Sequence, residues 1–361
     1  MCDNRGLTEN KTGGKIIPVT EAVGTILAHD ITEIRPGEFK GRAFKKGHII
    51  RQEDVCHLQR LGKENLFVLD IADDEMHEDE AAHAFAAALM GEGVKMAGVP
   101  REGKINLVAT RDGLLKVNKE ALLAFNMLGD VMCATLHNNT LVKKDRVVAG
   151  TRAIPLVIKR KTVSDAVAAA ASAGAPVIEV KKLRKPRAGV VITGNEVYHG
   201  RIKDAFAPVI RKKIEEFGGE ITSLYYAPDD KAVIRDRLEQ LLAMGADLLI
   251  TTGGMSVDPD DVTRFAIREL GDMNTSYGSP VLPGAMFLIA YRVGRNGSSQ
   301  EIPVLGIPAC GMYHGVTVFD IVLPRVLAGE KIGRRELAEL GHGGLCLHCK
   351  ECRYPVCPFG K

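Results

Sequence analysis

The chain lacks the long apolar runs and the charge excess that mark several specialised classes of protein. Nowhere in its 361 residues are there the roughly 18 consecutive apolar residues that suggest a membrane-spanning helix. The first residues, "MCDNRGLTENKTGGK", contain no apolar signal-peptide core. Lys and Arg (48) nearly balance Asp and Glu (45), and there is no arginine-rich arm. We therefore expect a soluble, cytoplasmic protein whose partners include neither a membrane nor nucleic acid.

Two common phosphate-binding motifs are also missing, since neither GxxxxGK[ST] nor G-x-G-x-x-G occurs. Two adjacent glycines, Gly253 and Gly254, nevertheless follow a short apolar run in the segment "TTGGMSVDPDDVT". Glycines let backbone N–H groups approach a ligand closely and point the same way, which suits a phosphate. The alternative is a tight strand-to-helix turn with Asp260 or Asp261 as the helix cap.

The pattern of apolar residues divides the chain into four regions. Residues 1–72 predict a small mixed α+β or β-rich region, and residues 73–186 a mixed α/β region of unassigned type. From 187 to 330 apolar strands alternate with amphipathic helices, as in "AGVVITGNEV" followed by "DAFAPVIRKKIEEFGG". This alternation predicts a three-layer α/β/α fold with a mostly parallel sheet. The charged segment "KKLRKPRAG" is interpreted as a linker, and residues 331–361 as a cysteine-rich tail.

Polar loops follow the predicted strands of the third region, in "TGNE", "PDD", "TTGGMSVDPDD" and "GIPACG". Ligands of open parallel sheets bind beyond the carboxyl ends of the strands, so we expect these loops to line one rim. The carboxylates of the rim are Glu196, Asp229, Asp230, Asp258, Asp260 and Asp261. Such oxygens suit Mg²⁺, or one could orient a reacting group. Helix capping is the alternative for each, and Asp230 suits it because it precedes "KAVIRDRL".

Half of the eight cysteines lie in the last sixteen residues, "CLHCKECRYPVCPFGK". Their spacing is C-x2-C-x2-C-x4-C-P, and they are Cys346, Cys349, Cys352 and Cys357. Four thiolates this close can hold a metal, either a [4Fe–4S] cluster or Zn²⁺, for which His348 could replace one cysteine. Free thiols are the alternative. Cys310, in the "GIPACG" loop, is either a nucleophile or a small buried apolar residue.

Residues 189–328 resemble the molybdopterin-binding domain that molybdopterin adenylyltransferases and molybdopterin molybdenumtransferases share. The matching segments are "VVITGNEV", "APDD", "ADLLITTGGMSVDPDDVT" and "LGIPACG". In the first region, "AVGTILAHDI" and "FKKGHIIRQEDVCHLQRLGKENLFVL" resemble the N-terminal part of the molybdenumtransferase, which is also found in the gephyrin E domain.

This resemblance implies that the chain binds molybdopterin or its adenylated form, and that it inserts molybdate with Mg²⁺. It implies that the cofactor-binding residues are Thr193, Gly194, Thr252, Gly253, Gly254, Ser256, Gly306 and Pro308. The residues implied for catalysis are Glu196, Asp229, Asp230 and Asp261, and Asp258 and Asp260 are further candidates for Mg²⁺. The resemblance also implies a homo-oligomer, either a dimer or a trimer, and a molybdoenzyme that receives the cofactor.

The chain departs from the family pattern at several motifs. The family's D-G-Y does not occur, and Asp258-Pro259-Asp260-Asp261 stands where G-D-Y-D is usual. These departures leave three hypotheses open. The chain is a molybdenumtransferase, or a carrier or sensor that binds the cofactor without turnover, or a scaffold whose rim is vestigial.

Overall fold

The computed structural model describes residues 14–35, 39–69, 71–172, 174–256, 258–259, 261–270, 275–293 and 301–361. The chain forms two compact units, one of Met1–His137 with Val142–Val180 and one of Asn138–Leu141 with Lys181–Lys361. The second unit therefore begins where the segment "KKLRKPRAG" begins. Among the described helices, none has both the length and the apolar character that a membrane span requires.

Up to residue 181 the described residues form short strands, four α-helices and a short 3-10 helix, Val19–Glu21. The strands are β1 (Gly14–Pro18), β2 (Ile31–Arg35), β3 (Phe39–Phe44), β4 (Asn65–Leu69), β5 (Glu75–His77), β6 (Val94–Met96), β7 (Lys104–Ala109), β8 (Gly113–Val117), β9 (Val131–Thr135), β10 (Thr140–Val142), β11 (Val147–Ala153), β12 (Val157–Lys159) and β13 (Ile178–Lys181). The helices are α1 (Gln52–Arg60), α2 (Glu78–Leu89), α3 (Lys119–Asn126) and α4 (Arg160–Ala171).

The first of these helices belongs to a small core formed by residues 16–70. The spacing of Val55, Leu58 and Leu61 predicts one buried helix face, and this is confirmed, because Val55 and Leu58 are buried and Leu61 packs against them. Helix α1 ends just before Gly62, whose φ of 75° is a conformation that favours glycine. Antiparallel pairs β1–β4 and β2–β3 accompany the helix.

The predicted helix in "EDEAAHAFAAALMG" is also confirmed, as α2. Its first turn carries three acidic residues, which the positive end of the helix dipole favours, and the His77 side chain accepts a hydrogen bond from the Asp79 N–H. The apolar face of α2 packs with α3 in the core of this unit, where the rings of Phe85 and Phe125 meet edge to face, 5.4 Å apart. An antiparallel sheet of order β6-β7-β11-β9 contributes to the same core.

The second unit alternates strands with helices from Arg187 onwards. The strands are β14 (Arg187–Thr193), β15 (Glu220–Ala227), β16 (Leu248–Thr252), β17 (Ser276–Tyr277), β18 (Leu288–Val293) and β19 (Glu301–Ile307). The helices are α5 (Asn195–Tyr198), α6 (Phe206–Glu215), α7 (Lys231–Ala243), α8 (Thr263–Arg268), α9 (Val318–Leu327) and α10 (Arg334–Glu339).

One sheet of order β15-β14-β16-β19-β18-β17 forms the middle layer of this unit. Its first four strands are parallel, and β18 and β17 extend the sheet in antiparallel pairing. Helices α6, α9 and α10 pack on one face of the sheet, and α7 and α8 on the other. The predicted three-layer α/β/α fold with a mostly parallel sheet is therefore confirmed.

Strand β16 shows how the sequence produces the middle layer. All five of its residues, "LLITT", are buried, as expected for a strand covered on both faces. Leu248 and Ile250 pack with α6 and α9, whereas Leu249 points to α7, because successive side chains of a strand alternate between faces. Burying each such side chain contributes roughly 1.5–3 kcal/mol. The two antiparallel strands and helix α10 were not expected from the sequence.

Candidate functional site

A cavity of about 780 Å³ opens at the carboxyl ends of β14, β16 and β19. Three of the four predicted loops contribute to its lining: "TGNE" after β14, residues 253–256 with Asp258 and Asp261 after β16, and Pro308 to Cys310 after β19. The cavity volume falls within the roughly 300–1,000 Å³ of small-molecule sites. The predicted rim therefore encloses a space of a size that suits a cofactor.

The loop after β16 depends on both of its glycines. Gly253 and Gly254 have φ values of 78° and 57°, in the region that other residues rarely adopt. A Cβ on Gly253 would lie 2.6 Å from the Thr193 carbonyl oxygen, and one on Gly254 would overlap Thr263 Oγ1. Within the part of the chain that the structure describes, the backbone N–H groups of Gly253, Gly254 and Met255 donate to no backbone or side-chain acceptor. These N–H groups are available to an anion in the cavity.

Some of the other predicted cofactor residues line the cavity, and the rest hold its loops in place. Thr193, Ser256 and Pro308 line the cavity. Thr193 Oγ1 donates to the Thr252 carbonyl oxygen at 2.7 Å, so the buried Thr252 supports the loop from behind.

Two predicted glycines, Gly194 and Gly306, also support the loops rather than line the cavity. Gly194 has a φ of 135°. Gly306 leaves room for Met255, whose Cε would lie 2.7 Å from a Cβ at that position. The hydroxyl of Tyr277 donates to the Met255 carbonyl oxygen at 2.5 Å, which holds the same loop from another strand.

Carboxylates form one side of the cavity. Glu196, Asp258 and Asp261 line it, as predicted, and so does Asp204. Asp204 accepts hydrogen bonds from the backbone N–H groups of Phe206 and Ala207, and the Tyr226 hydroxyl donates to it at 3.2 Å. Asp204 was not among the carboxylates that the sequence indicated. Asp260, a predicted Mg²⁺ ligand, lies outside the described residues.

Asp229 and Asp230 are not among the residues that line the cavity. Asp229 Oδ2 accepts a hydrogen bond from the Asn195 N–H at 2.9 Å, which joins the "PDD" loop to the "TGNE" loop. Asp230 Oδ1 accepts a hydrogen bond from the Val233 N–H at 2.9 Å and is the N-cap of α7. The structure thus gives Asp230 the capping role that was the alternative to catalysis.

Replacing Asp230 with alanine should lower the free energy of unfolding by about 1 kcal/mol, because the first turn of α7 loses its side-chain acceptor. Asp236→Ala is the matched control, since Asp236 lies on the same helix and makes only an exposed ion pair. It should change the free energy by less than about 0.5 kcal/mol. Denaturant unfolding measures both. An Asp230→Ala protein of unchanged stability that no longer binds its ligand would instead place Asp230 in the site.

One lysine, one histidine and one thiol complete the wall. Lys203 and His314 line the cavity together with Cys310. Burial raises the pKa of the Cys310 thiol, so the thiol stays protonated near neutral pH and is a poor nucleophile. The cavity therefore combines an acidic side with one lysine, and its only lining cysteine among the described residues is not activated.

Mg²⁺ can be bound by protein side chains alone, or by a few side chains together with water and the phosphates of a ligand. The carboxylates of the cavity fit the second of these two modes. Among the described residues, no group of three or more His, Cys, Asp and Glu side chains is placed to hold a metal by itself. Mg²⁺ is commonly bound by one or two carboxylates, and water and substrate phosphates complete its shell. Glu196, Asp258 and Asp261 suit this second mode, in which the ion arrives with a phosphorylated ligand.

Two further segments line the cavity that the sequence did not indicate. One is the turn of Leu282–Met286, and the other is the start of the tail, through Leu345 and His348. The Cys346 N–H donates to the Leu282 carbonyl oxygen at 2.9 Å and joins the two segments. The "LPG" of the turn is a loop signal, but only the fold brings it to the rim.

The four tail cysteines line a second cavity, of about 220 Å³. Cys346 and Cys357 are half-buried against the core, whereas Cys349 and Cys352 are exposed. All four are free thiols. The structure therefore gathers the predicted metal ligands around one space without closing them into a ligand shell.

Two family models match the chain. The one described as a probable molybdopterin binding domain matches residues 189–328, and one described as a domain of unknown function matches residues 16–70. The first covers the residues that line the larger cavity except Leu345 and His348.

Curated relatives match over a short segment. A CinA-like protein of Mycobacterium sp. (strain MCS) is 40% identical over 89 residues, which are 23% of this chain and 21% of that protein. A CinA-like protein of Mycobacterium tuberculosis (strain ATCC 25177 / H37Ra) is 38% identical over the same length. The matched segment thus spans about a fifth of these relatives.

Solved structures are similar at low identity. The tungsten cofactor synthesizing protein MoaB from Pyrococcus furiosus has 21% identity and a TM-score of 0.33, over 40% of this chain and 94% of that one. The molybdopterin biosynthesis moea protein from Pyrococcus horikosii has 18% identity and a TM-score of 0.32, over 90% of this chain and 76% of that one. The solved structures therefore support no assignment, and what the comparisons show is that residues 189–328 match the family model described as a probable molybdopterin binding domain.

Proposed function

We propose that residues 187–330 bind molybdopterin, or its adenylated form, and that the chain acts in molybdenum cofactor biosynthesis. The observation that carries the proposal is the loop of Gly253 and Gly254. Its residues line a cofactor-sized cavity at the carboxyl ends of parallel strands, and their backbone N–H groups have no acceptor among the described residues. This loop would bind the phosphate, because converging N–H groups are a general solution for anions.

The apolar part of the wall suits the flat pterin ring. Phe206 and Met312 line the cavity, as do Ile202 and Pro283. Cofactor sites generally combine such apolar surfaces with a few polar groups that fix the orientation of the ligand. With its phosphate bound at the glycine loop and its ring packed against this wall, the cofactor would have a fixed orientation in the cavity.

The acidic side of the cavity makes binding depend on a divalent cation. Glu196, Asp204, Asp258 and Asp261 would repel an anionic phosphate, and Lys203 alone does not balance them. Mg²⁺ bound to one or two of these carboxylates and to the phosphate removes the repulsion. We therefore propose that the cofactor and Mg²⁺ enter the site together.

With Mg²⁺ and molybdate present, the same carboxylates support the insertion of molybdate into the cofactor. Asp261 and Glu196 would position the ion and the reacting oxyanion, while the N–H groups after Thr252 hold the phosphate. In this proposal the chain is a molybdopterin molybdenumtransferase. Its dimeric or trimeric state and its molybdoenzyme partner stay predictions from the resemblance.

A carrier or sensor without turnover is the second candidate, and specific observations favour it. The sequence has no D-G-Y motif. Asp229 and Asp230, two of the carboxylates implied for catalysis, make loop and helix-cap hydrogen bonds away from the cavity wall. Binding of the cofactor is common to both candidates, and turnover distinguishes them.

Anaerobic purification of the full chain from a host that makes the cofactor tests the binding proposal. We expect bound pterin in a fixed ratio to protein, identified by its fluorescence after oxidation. We also expect this pterin to decrease when Mg²⁺ is chelated. A chain that is folded, that carries no pterin and that takes none up in the presence of Mg²⁺ would exclude the proposed function.

A further inference from the structure

The part of the tail that carries the cysteines, residues 345–361, is packed in the second unit at both of its ends. Leu345 forms a bridge with Leu282 at the start of this segment, and near its end Phe359 is buried in the core that α9 covers. The Gly360 N–H donates to the Gly343 carbonyl oxygen at 2.9 Å, which closes the segment into a loop. Both ends are therefore fixed by the domain, and residues 346–353, between them, form neither helix nor strand.

The loop places the four thiols around one space. Cys346 and Cys357 stand at the fixed ends, half-buried, and Cys349 and Cys352 lie on the exposed part between them. His348 adopts a φ of 50°, and its backbone N–H points to Cys346 Sγ at 3.5 Å. Arg353 lies in the same wall, where its charge would offset that of thiolates bound to a metal.

We infer that Cys346, Cys349, Cys352 and Cys357 bind a thiolate-seeking metal, as a single Zn²⁺ or as an iron–sulfur cluster. The two exposed thiols would move onto the metal from the loop, since the described residues hold no ligand group that is already closed. This is common, because a metal site rarely forms fully before the metal binds. Each thiol would lose its proton to solvent as its bond to the metal forms.

The metal site lies beside the cofactor cavity, so a bound metal would affect the wall of that cavity. His314 and His348 line both cavities, and their ring centroids lie 5.4 Å apart. A metal at the cysteines would fix His348 between two of its ligands, and with it one wall of the cofactor cavity. The metal would thus complete the cofactor site from outside, an effect that rests on the proposed function.

Metal analysis of the anaerobically purified full chain tests the inference. We expect a stoichiometric metal, either zinc without visible absorption or iron and sulfide with the broad absorption near 400 nm typical of iron–sulfur proteins. Cys349→Ser and Cys352→Ser, at exposed positions, should each reduce metal content about tenfold or more. Cys56→Ser is the matched control, since Cys56 is an exposed cysteine of α1 and should not affect the metal.

Circular dichroism of each variant shows whether loss of metal follows from loss of fold. The inference fails if the wild-type chain binds no stoichiometric metal after reconstitution with zinc, or with iron and sulfide. It fails equally if folded Cys349→Ser and Cys352→Ser proteins keep the wild-type content. Bound pterin is measured in the same samples. Metal retained by a chain that binds no pterin would support the metal site while excluding the proposed function.

Discussion

Gly254→Ala should abolish retention of the pterin cofactor and lower the free energy of unfolding by about 2–6 kcal/mol. The methyl group would force a residue with a φ of 57° out of its favoured conformations, at roughly 1–3 kcal/mol. It would also overlap Thr263 Oγ1 in a buried contact, which adds a similar cost for overpacking. The loop would move, and its N–H groups would no longer converge on the phosphate.

Gly329→Ala is the control that separates the effect of backbone strain on stability from the loss of pterin binding. Gly329 has a φ of 85°, and a Cβ there would meet no heavy atom within 4 Å. It should therefore lose about 1 kcal/mol of stability from strain alone and keep its pterin. Denaturant unfolding and pterin fluorescence are the measurements. A folded Gly254→Ala protein that carries the wild-type amount of pterin would remove the glycine loop from the binding site.

Asp261→Asn should reduce Mg²⁺-dependent insertion of molybdate about 100-fold or more while pterin stays bound. The substitution keeps the size of a cavity-lining side chain but removes the charge that we propose positions the metal. Glu196→Gln should have the same effect. The measurement is release of AMP from adenylated molybdopterin in the presence of molybdate and Mg²⁺.

Asp236→Asn, on the exposed face of α7, is the control for the change of an acid to an amide. The results separate the two candidate functions. Turnover in the wild-type chain that Asp261→Asn and Glu196→Gln leave intact would contradict the assignment of these carboxylates. A wild-type chain that binds pterin tightly but releases no AMP would be the carrier or sensor.

The sequence predicted the fold of the second unit well because each local signal agreed with the others. Strand β16 is a short apolar run that ends in two glycines, and α6 carries Phe206, Ile210 and Ile214 on one face. Such periodic patterns report which face is buried. Strand β17 has only two residues, at the edge of the sheet, and therefore no comparable signature, whereas β18 is an internal apolar strand that was not recognised in the sequence. The fold of the region between 75 and 185 was not assigned because its sheets pair strands from distant segments.

The carboxylates show where local patterns stop being informative. Asp229 and Asp230 follow β15, and Asp261 follows β16 of the same sheet. From the sequence, all three were therefore equally good candidates for the site. Hydrogen bonds to Asn195 and Val233 direct the first two to backbone groups, and only the packing of neighbouring loops decides this. Asp204, which does line the cavity, gave no comparable signal because it lies between two helices and does not follow a strand.

The sequence by itself determined the layered parallel sheet, the glycine loop after β16 and the cluster of four cysteines. These follow from the spacing of nearby residues, which local physical chemistry constrains. Only the tertiary structure decided which oxygens share the cavity and that the tail forms part of its wall. Those relations join positions as distant as Gly254 and His348, and they depend on how strands and loops pack, which no local pattern records.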